Sequence, residues 1–368
     1  MYRETWIEVD KKAIEKNIQQ LTEPLGSSRW MAIVKANAYG HGSVEMAKVA
    51  VEKGCAMLGV ATLDEALSLR NAGMNHPILV LGRVHAKHAN VAAKHNISLC
   101  AFQKEWLQEA YENLEKQSLL SIHVKIDTGM NRLGLKWDEK EEIKAFIEDL
   151  FTYEAIQTEG IFTHFATSDE TENEFVMTQY QRFLHVLSLF HEKKVTFAWV
   201  HCANSAFSMR FPKEVFNLAR LGISMYGLQP SKEVKEETEL PLCSAFSLYS
   251  EISHVKQIKK GETVGYGQTF TATNDTYVAT LPIGYADGIP RSYSKREGKV
   301  CINGKRYPMI GSICMDQLMI EVDETIHIGD RVQLIGNEIS VDEVAQKNNT
   351  INYEVVCMFT SRVPILYV

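Results

Sequence analysis

Lys35 closes a short apolar run, Met31-Ala32-Ile33-Val34, and is followed by the small-residue segment Ala36-Asn37-Ala38-Tyr39-Gly40-His41-Gly42. A lysine at the mouth of a buried strand loses part of its hydration, which disfavours the ammonium form and can leave a free amine near neutral pH. Such an amine can attack a carbonyl and form a Schiff base. The ordinary alternative is a lysine that ends a strand and sends its charge into solvent. Further groups suited to chemistry close later apolar runs: Lys125 and Arg132, His164, Asn204 with Ser205, and Arg220. Arg220 leads into Leu221-Gly222-Ile223-Ser224-Met225-Tyr226-Gly227, where glycine lets the backbone approach a phosphate and successive N–H groups can cradle it.

Elements in a regular order must position these groups. From about residue 28 to 227, short apolar runs alternate with amphipathic stretches. The runs are Trp30 to Lys35, Ala56 to Ala61, Pro77 to Gly82, Ile97 to Phe102, Ile122 to Asp127, Glu159 to Phe165, Phe197 to Ala203 and Val215 to Arg220. Helix-like stretches such as Ser43 to Lys53 and Thr62 to Ala72 lie between them, the second opening with a capping box at Thr62 and Glu65 and ending at Gly73. Eight strand-then-helix units predict an α/β fold of the closed (β/α)8, TIM-type barrel class. An open doubly wound sheet would need a glycine-rich fingerprint after the first strand, and none is present. In a barrel the ends of the strands share one mouth, so the groups named above face one another there. The loops after strands seven and eight are the common barrel phosphate site, which suits a phosphorylated cofactor.

The texture changes after residue 228. Residues 229–242 read as a polar connector with Pro230 and Pro241, and residues 243–368 as a C-terminal domain of mostly antiparallel strands. An Asn303-Gly304 pair signals a hairpin, and one short helix is expected near Val341 to Lys347. Residues 1–228 form the barrel domain in this reading, with about the first ten residues free to join the C-terminal domain.

Composition narrows the partners. A chain of 368 residues with 45% hydrophobic and 23% charged residues can bury a large core. Its net charge of -7 offers no electrostatic footprint for nucleic acid or an anionic membrane surface, so a small-molecule substrate is expected. No stretch approaches the roughly 18 apolar residues that span a bilayer, and Met-Tyr-Arg-Glu-Thr-Trp is unlike a secretory signal. Seven scattered cysteines without a C-x-x-C pair point to reduced thiols and a cytoplasmic location. His41, His201, His85, His88 and His95 lack ligand spacing and are assigned to packing or the surface, with no metal expected.

The string AIVKANAYGHG resembles the pyridoxal phosphate (PLP) lysine motif of the alanine racemase family. HVKIDTGMNRLG, IFTHFATSDE, HCANSAFS, ARLGISMYGLQP, VGYGQTF, LPIGYADGIPR, GSICMDQ and INYEVV follow in that family's order, so the resemblance covers nearly the whole chain. It implies that Lys35 is the Schiff-base lysine and that Tyr39, Ser205, Gly222, Ile223 and Tyr353 contact the cofactor phosphate. It implies further that Arg220 faces the pyridine nitrogen and Arg132 the cofactor hydroxyl side, that His164 holds the network around Arg220, and that Asn204 lies beside the cofactor. Because a guanidinium only donates, the ring nitrogen would stay unprotonated and the ring would be a weaker electron sink, which suits quick reprotonation.

Racemisation needs an acid and a base on opposite faces of a planar carbon. The resemblance gives Lys35 one face and Tyr266, flanked by Gly265 and Gly267, the other, with Tyr266 supplied by the partner subunit of a homodimer. A tyrosine titrates near about 10, so His164 and Arg220 are the expected cations that lower it. Tyr285, Met315 and Asp316 resemble the substrate end, with the Met315 N–H expected near the substrate carboxylate and Arg132 expected among the substrate contacts. Lys125 matches a position that is carbamylated in some members, where the added carboxylate would orient Arg132. Asn131 stands where many members have glycine, and Ser312 where many have arginine. The family's usual product is D-alanine for peptidoglycan. A PLP carrier protein would resemble the barrel alone, and a barrel-type decarboxylase would be expected to place an acid where Arg220 stands.

Overall fold

A computed structural model describes residues 2–368, which divide into two compact units. One holds residues 14–38 and 43–243, the other the residues up to Ala13 together with 39–42 and 244–368.

The first unit is built on eight parallel strands: Arg29–Ile33, Met57–Val60, Ile78–Val80, Ile97–Ala101, Leu120–Asp127, Ile156–Phe162, Trp199–His201 and Leu218–Leu221. They pair in chain order, and the eighth returns to pair with the first. Between strands seven and eight the rim is tied by the Arg220 N–H, which donates to the Ala203 carbonyl at 3.0 Å. This is a nearly closed TIM-type barrel. Such strands are covered on both faces, so they read as continuous apolar runs. Met31, Ala32, Leu58, Ile78, Leu79, Val80 and Leu99 are accordingly fully buried.

Each expected run contains a strand, displaced by a few residues at its ends. Strand six is displaced by three residues at both ends, and strand eight starts only at Leu218 because Phe216 takes φ +59 and breaks the extended run. The helix Leu63–Asn71 is capped as expected, Thr62 accepting from the Glu65 N–H, and Gly73 follows it at φ +85. The connector holds an unforeseen helix, Lys232–Thr238, capped by Ser231. Its one buried residue, Val234, gives too weak a periodicity to read.

The second unit carries a sheet of nine strands in the order His254–Ile258, Thr276–Leu281, Leu318–Val322, Lys305–Ile310, Lys299–Ile302, Arg331–Ile335, Phe246–Glu251, Thr5–Val9 and Ile365–Tyr367. Neighbours run antiparallel except for the last pair. Asn303 at φ +51 and Gly304 at φ +79 make the expected hairpin turn. Val341–Asn348 is the expected helix. A second helix, Asn352–Cys357, was not expected, because six residues span too few turns to show a period.

Candidate active site

Strand one ends at Ile33, and Lys35 is half-buried at the start of a turn in which Ala36, Asn37, Ala38 and Tyr39 have φ of 51, 53, 54 and 51°. This is one turn of left-handed helix made without glycine. Each L-residue there costs about 1–2 kcal/mol, so the turn needs fastening. The Ala36 N–H donates to Glu65 Oε1 at 2.7 Å, the Ser43 N–H donates to Asn37 Oδ1 at 3.0 Å, and the Ala38 N–H donates to the Val34 carbonyl at 2.9 Å. The other Glu65 oxygen accepts the Ala61 N–H at 2.7 Å. The residue that caps one helix therefore also holds the lysine turn.

Arg220 lies on strand eight and is 4% exposed. Its Nη1 donates to His201 Nδ1 at 3.0 Å, and its Nη2 donates to the Thr163 and Cys202 carbonyls at 2.9 Å and to His164 Nδ1 at 3.0 Å. Every acceptor is uncharged. Among the described residues all hydrogen bonds of Arg220 leave through Nη1 and Nη2, so the Nε–H remains for a ligand acceptor. Burial lowers the Arg220 pKa to about 10, which keeps it charged at neutral pH.

Burial, reinforced by Arg220, holds His164 and His201 well below the ordinary imidazole range. His164 is therefore neutral, which corrects the expectation that it supplies positive charge; it contributes a lone pair to Arg220. Lys35, Lys125 and Arg132 act on His164 in the same direction as Arg220. Lys125 is buried with Nζ 4.6 Å from the Phe162 ring centroid, and burial followed by Arg220 lowers it to about 7. Phe162 stacks on His201 at 4.8 Å between centroids. Arg132 is exposed, and Asn131 beside it takes φ +56, a conformation glycine tolerates best and asparagine tolerates well.

The Gly222 N–H donates to Ser205 Oγ at 2.9 Å, which leaves the hydroxyl proton of Ser205 to point at a ligand. Ile223 opens the 3-10 turn that follows Gly222. Asn204 accepts the Phe207 N–H at 3.0 Å and so caps the helix Ser205–Arg210.

The second unit holds the other expected groups. Tyr39 and Tyr353 meet edge to face at 6.1 Å between centroids, and burial raises the Tyr39 pKa, so its hydroxyl stays a donor. Tyr266 sits between Gly265 at φ +76 and Gly267 at φ +72 and is 72% exposed, so it is not packed in the sheet core. A cavity of about 610 Å³ lies beside it, lined by Val264, Thr280, Cys314, Gln317 and Met319 among others. Tyr285 and Met315 are also exposed, and their loops are laced by Tyr285 N–H to Cys314 carbonyl and Ala286 N–H to Met315 carbonyl bonds, both 3.0 Å. Gly284 permits this approach: a Cβ there would lie 2.3 Å from the Cys314 carbonyl oxygen. Buried Asp287 holds the loop from below, accepting from Arg3 Nη1 and Nη2 at 2.5 and 2.6 Å and from the Gly284 N–H at 2.9 Å. Asp316 pairs with Arg362 at 2.6 Å.

The sequence reading missed four residues. His201, assigned to packing or surface, bonds directly to Arg220, and behind it stand His123 and Glu159. The fourth is Glu65, read only as a cap. A signal for His123 existed, since it stands two residues before Lys125 and strand periodicity puts both on one face.

The barrel's strand ends thus carry a strained lysine turn, a buried arginine held by neutral acceptors and a serine hydroxyl. Residues 9–230 match the family described as alanine racemase, N-terminal domain, and residues 245–367 match alanine racemase, C-terminal domain. The alanine racemase of Halalkalibacterium halodurans is 46% identical over 372 aligned positions, covering 100% of this chain and 95% of that protein. Alanine racemase 1 of Bacillus subtilis is 45% identical over 371, covering 100% and 93%. The crystal structure of alanine racemase from Bacillus anthracis with bound L-Ala-P matches with a TM-score of 0.96 at 42% identity, covering 100% and 96%. The chain belongs to the alanine racemase family and is a racemase, an isomerase.

Proposed function

We propose that this chain interconverts L- and D-alanine with pyridoxal 5'-phosphate by a two-base mechanism, as a cytoplasmic homodimer that supplies D-alanine for peptidoglycan. The observation that carries the reading is Arg220: a buried guanidinium with no carboxylate among its acceptors and an Nε–H left over. That donor fits an unprotonated pyridine nitrogen. The fit extends to Ser205 Oγ, which accepts the Gly222 N–H and keeps its own proton, and to Lys35, Arg132 and the partly charged Lys125, which act on His164 and favour an anion.

Lys35, Tyr39, Arg132, His164, Asn204, Ser205, Arg220, Gly222, Ile223 and Tyr353 would hold the cofactor. When bound, it supplies an aldehyde for an amine and a conjugated ring that spreads charge from the substrate α-carbon. Lys35 then takes or returns the α-proton on one face and Tyr266 of the partner copy on the other. Arg132, the Met315 N–H and Tyr285 orient the substrate, and Asp316 braces that loop through Arg362. Lys125, carbamylated, would turn its charge from positive to negative and steady Arg132. His164, neutral, presents a lone pair that keeps Arg220 in place. The barrel unit, residues 14–38 and 43–243, supplies Lys35, and the unit that includes residues 244–368 supplies Tyr266. Among the described residues no helix is long and apolar enough to cross a membrane.

A chiral assay of purified protein with L-alanine, with and without added pyridoxal phosphate, tests the reading. D-alanine should accumulate until the two enantiomers are equal, faster with cofactor. No D-alanine from cofactor-loaded protein would refute it.

A further inference from the structure

A hydrogen-bond chain runs from Arg220 through the barrel interior to a carboxylate that the proposed reaction does not use. Arg220 Nη1 lies 3.0 Å from His201 Nδ1, His201 Nε2 lies 2.9 Å from His123 Nδ1, and His123 Nε2 lies 3.3 Å from Glu159 Oε2. A guanidinium has no lone pair, so His201 Nδ1 must accept. Its proton then sits on Nε2 and donates to His123 Nδ1, whose own proton on Nε2 donates to Glu159. Only one polarity satisfies the whole chain. Both imidazoles are fully buried, and burial lowers the pKa of each.

The backbone departs from regularity where this chain ends. Ile122 pairs with Thr158 and His123 with Gly160, which leaves Glu159 as the extra residue of a bulge between strands five and six. Bulges are rare between parallel strands and serve to re-aim a side chain. Gly160 makes the room, since a Cβ there would lie 2.5 Å from His123 Nδ1. Ser98 Oγ donates to the same Glu159 oxygen at 2.6 Å, and a cavity of about 230 Å³ at the strand starts is lined by Ser98, Ser121, Glu159 and Arg70. The carboxylate thus stands at the barrel end away from the reaction.

We infer that Glu159 is a positioning residue that fixes the tautomers of His123 and His201 and so keeps an acceptor against Arg220. A reversed imidazole would set N–H against N–H at that contact and push the guanidinium off the ligand it serves. The inference rests on the reading of Arg220 as the partner of the cofactor ring nitrogen.

Long-range 1H–15N spectra of the histidine side chains, on cofactor-free and cofactor-loaded protein, read the tautomers directly. The parent should show Nε2–H on both His123 and His201. Glu159→Leu should shift at least one toward Nδ1–H, move the ring 15N signal of labelled pyridoxal phosphate, and lower kcat about tenfold with little change in KM. Glu159→Gln, which keeps an acceptor oxygen, should restore both signals. Nδ1–H on either residue of the parent overturns the inference, as does a folded Glu159→Leu protein with the parent's tautomers and ring signal. If Glu159→Leu does not fold, parent tautomers on both residues, retained in Glu159→Gln, support it and any other pattern there refutes it. Parent tautomers as predicted in a protein that takes up no pyridoxal phosphate would support the chain while refuting the cofactor reading.

Discussion

Glu65 accepts the Ala36 N–H at 2.7 Å, so the residue that caps the helix after strand two also closes the left-handed turn after strand one. The turn is unfavourable for each of its L-residues, and this carboxylate ties it to the amide of Ala61 as well. Glu65→Ala should therefore cost about 1–3 kcal/mol of stability and weaken cofactor retention. Glu65→Gln should recover part of both. Urea unfolding and equilibrium dialysis of pyridoxal phosphate measure them, and unchanged retention in Glu65→Ala would show that the turn holds itself.

Acid should destabilise the protein earlier than carboxylate titration does. His123, His164 and His201 have native pKa values below the unfolded value of 6.5. Above that pH neither state binds the extra protons; below it the unfolded chain binds them and the native chain does not, so stability falls as pH falls. Each histidine adds to this loss in proportion to the protons that the unfolded chain binds and the native chain does not. The urea midpoint should drop between about pH 6.5 and 5.5, and less steeply in His123→Gln. A flat midpoint across that window would mean that the imidazoles take up protons in place.

Lys125, near a pKa of about 7, has a large neutral fraction at physiological pH. A neutral amine is the form that reacts with carbon dioxide, so carbamylation should rise as pH rises through that value. Protein equilibrated with 13C-bicarbonate should give a carbamate signal that Lys125→Ala lacks. Identical spectra for the two proteins would leave Lys125 unmodified.

Tyr266 is exposed in its own chain, as a group serving a partner's site would be. Lys35→Ala and Tyr266→Phe homodimers should each be nearly inactive. Mixing them under subunit exchange should restore part of the activity, because the heterodimer holds one intact pair. No recovery despite proven exchange would put both residues to work within one subunit.

Much of this was legible in the chain because barrel strands are buried on both faces and leave plain apolar runs. Lys35, His164, Ser205 and Arg220 stood out because each lies at or just beyond such a run. What stayed hidden depends on pairing between distant segments. Glu159 bonds to His123 only because the strands slip by one residue between Ile122 and His123, and no local pattern encodes that slip. His201 looked like a packing histidine because its meaning comes from Arg220, nineteen residues on and on another strand. The left-handed turn was invisible too, since Ala36, Asn37 and Ala38 favour ordinary helix or loop, and it is Glu65 that holds them otherwise.

The central claim is that Lys35 carries the cofactor. Borohydride reduction of the purified, cofactor-loaded protein followed by peptide mass mapping tests it most directly. The account predicts the added mass of reduced pyridoxal phosphate on the peptide containing Lys35 and its disappearance in Lys35→Ala. The same mass on a peptide carrying a different lysine, or on none, would contradict it.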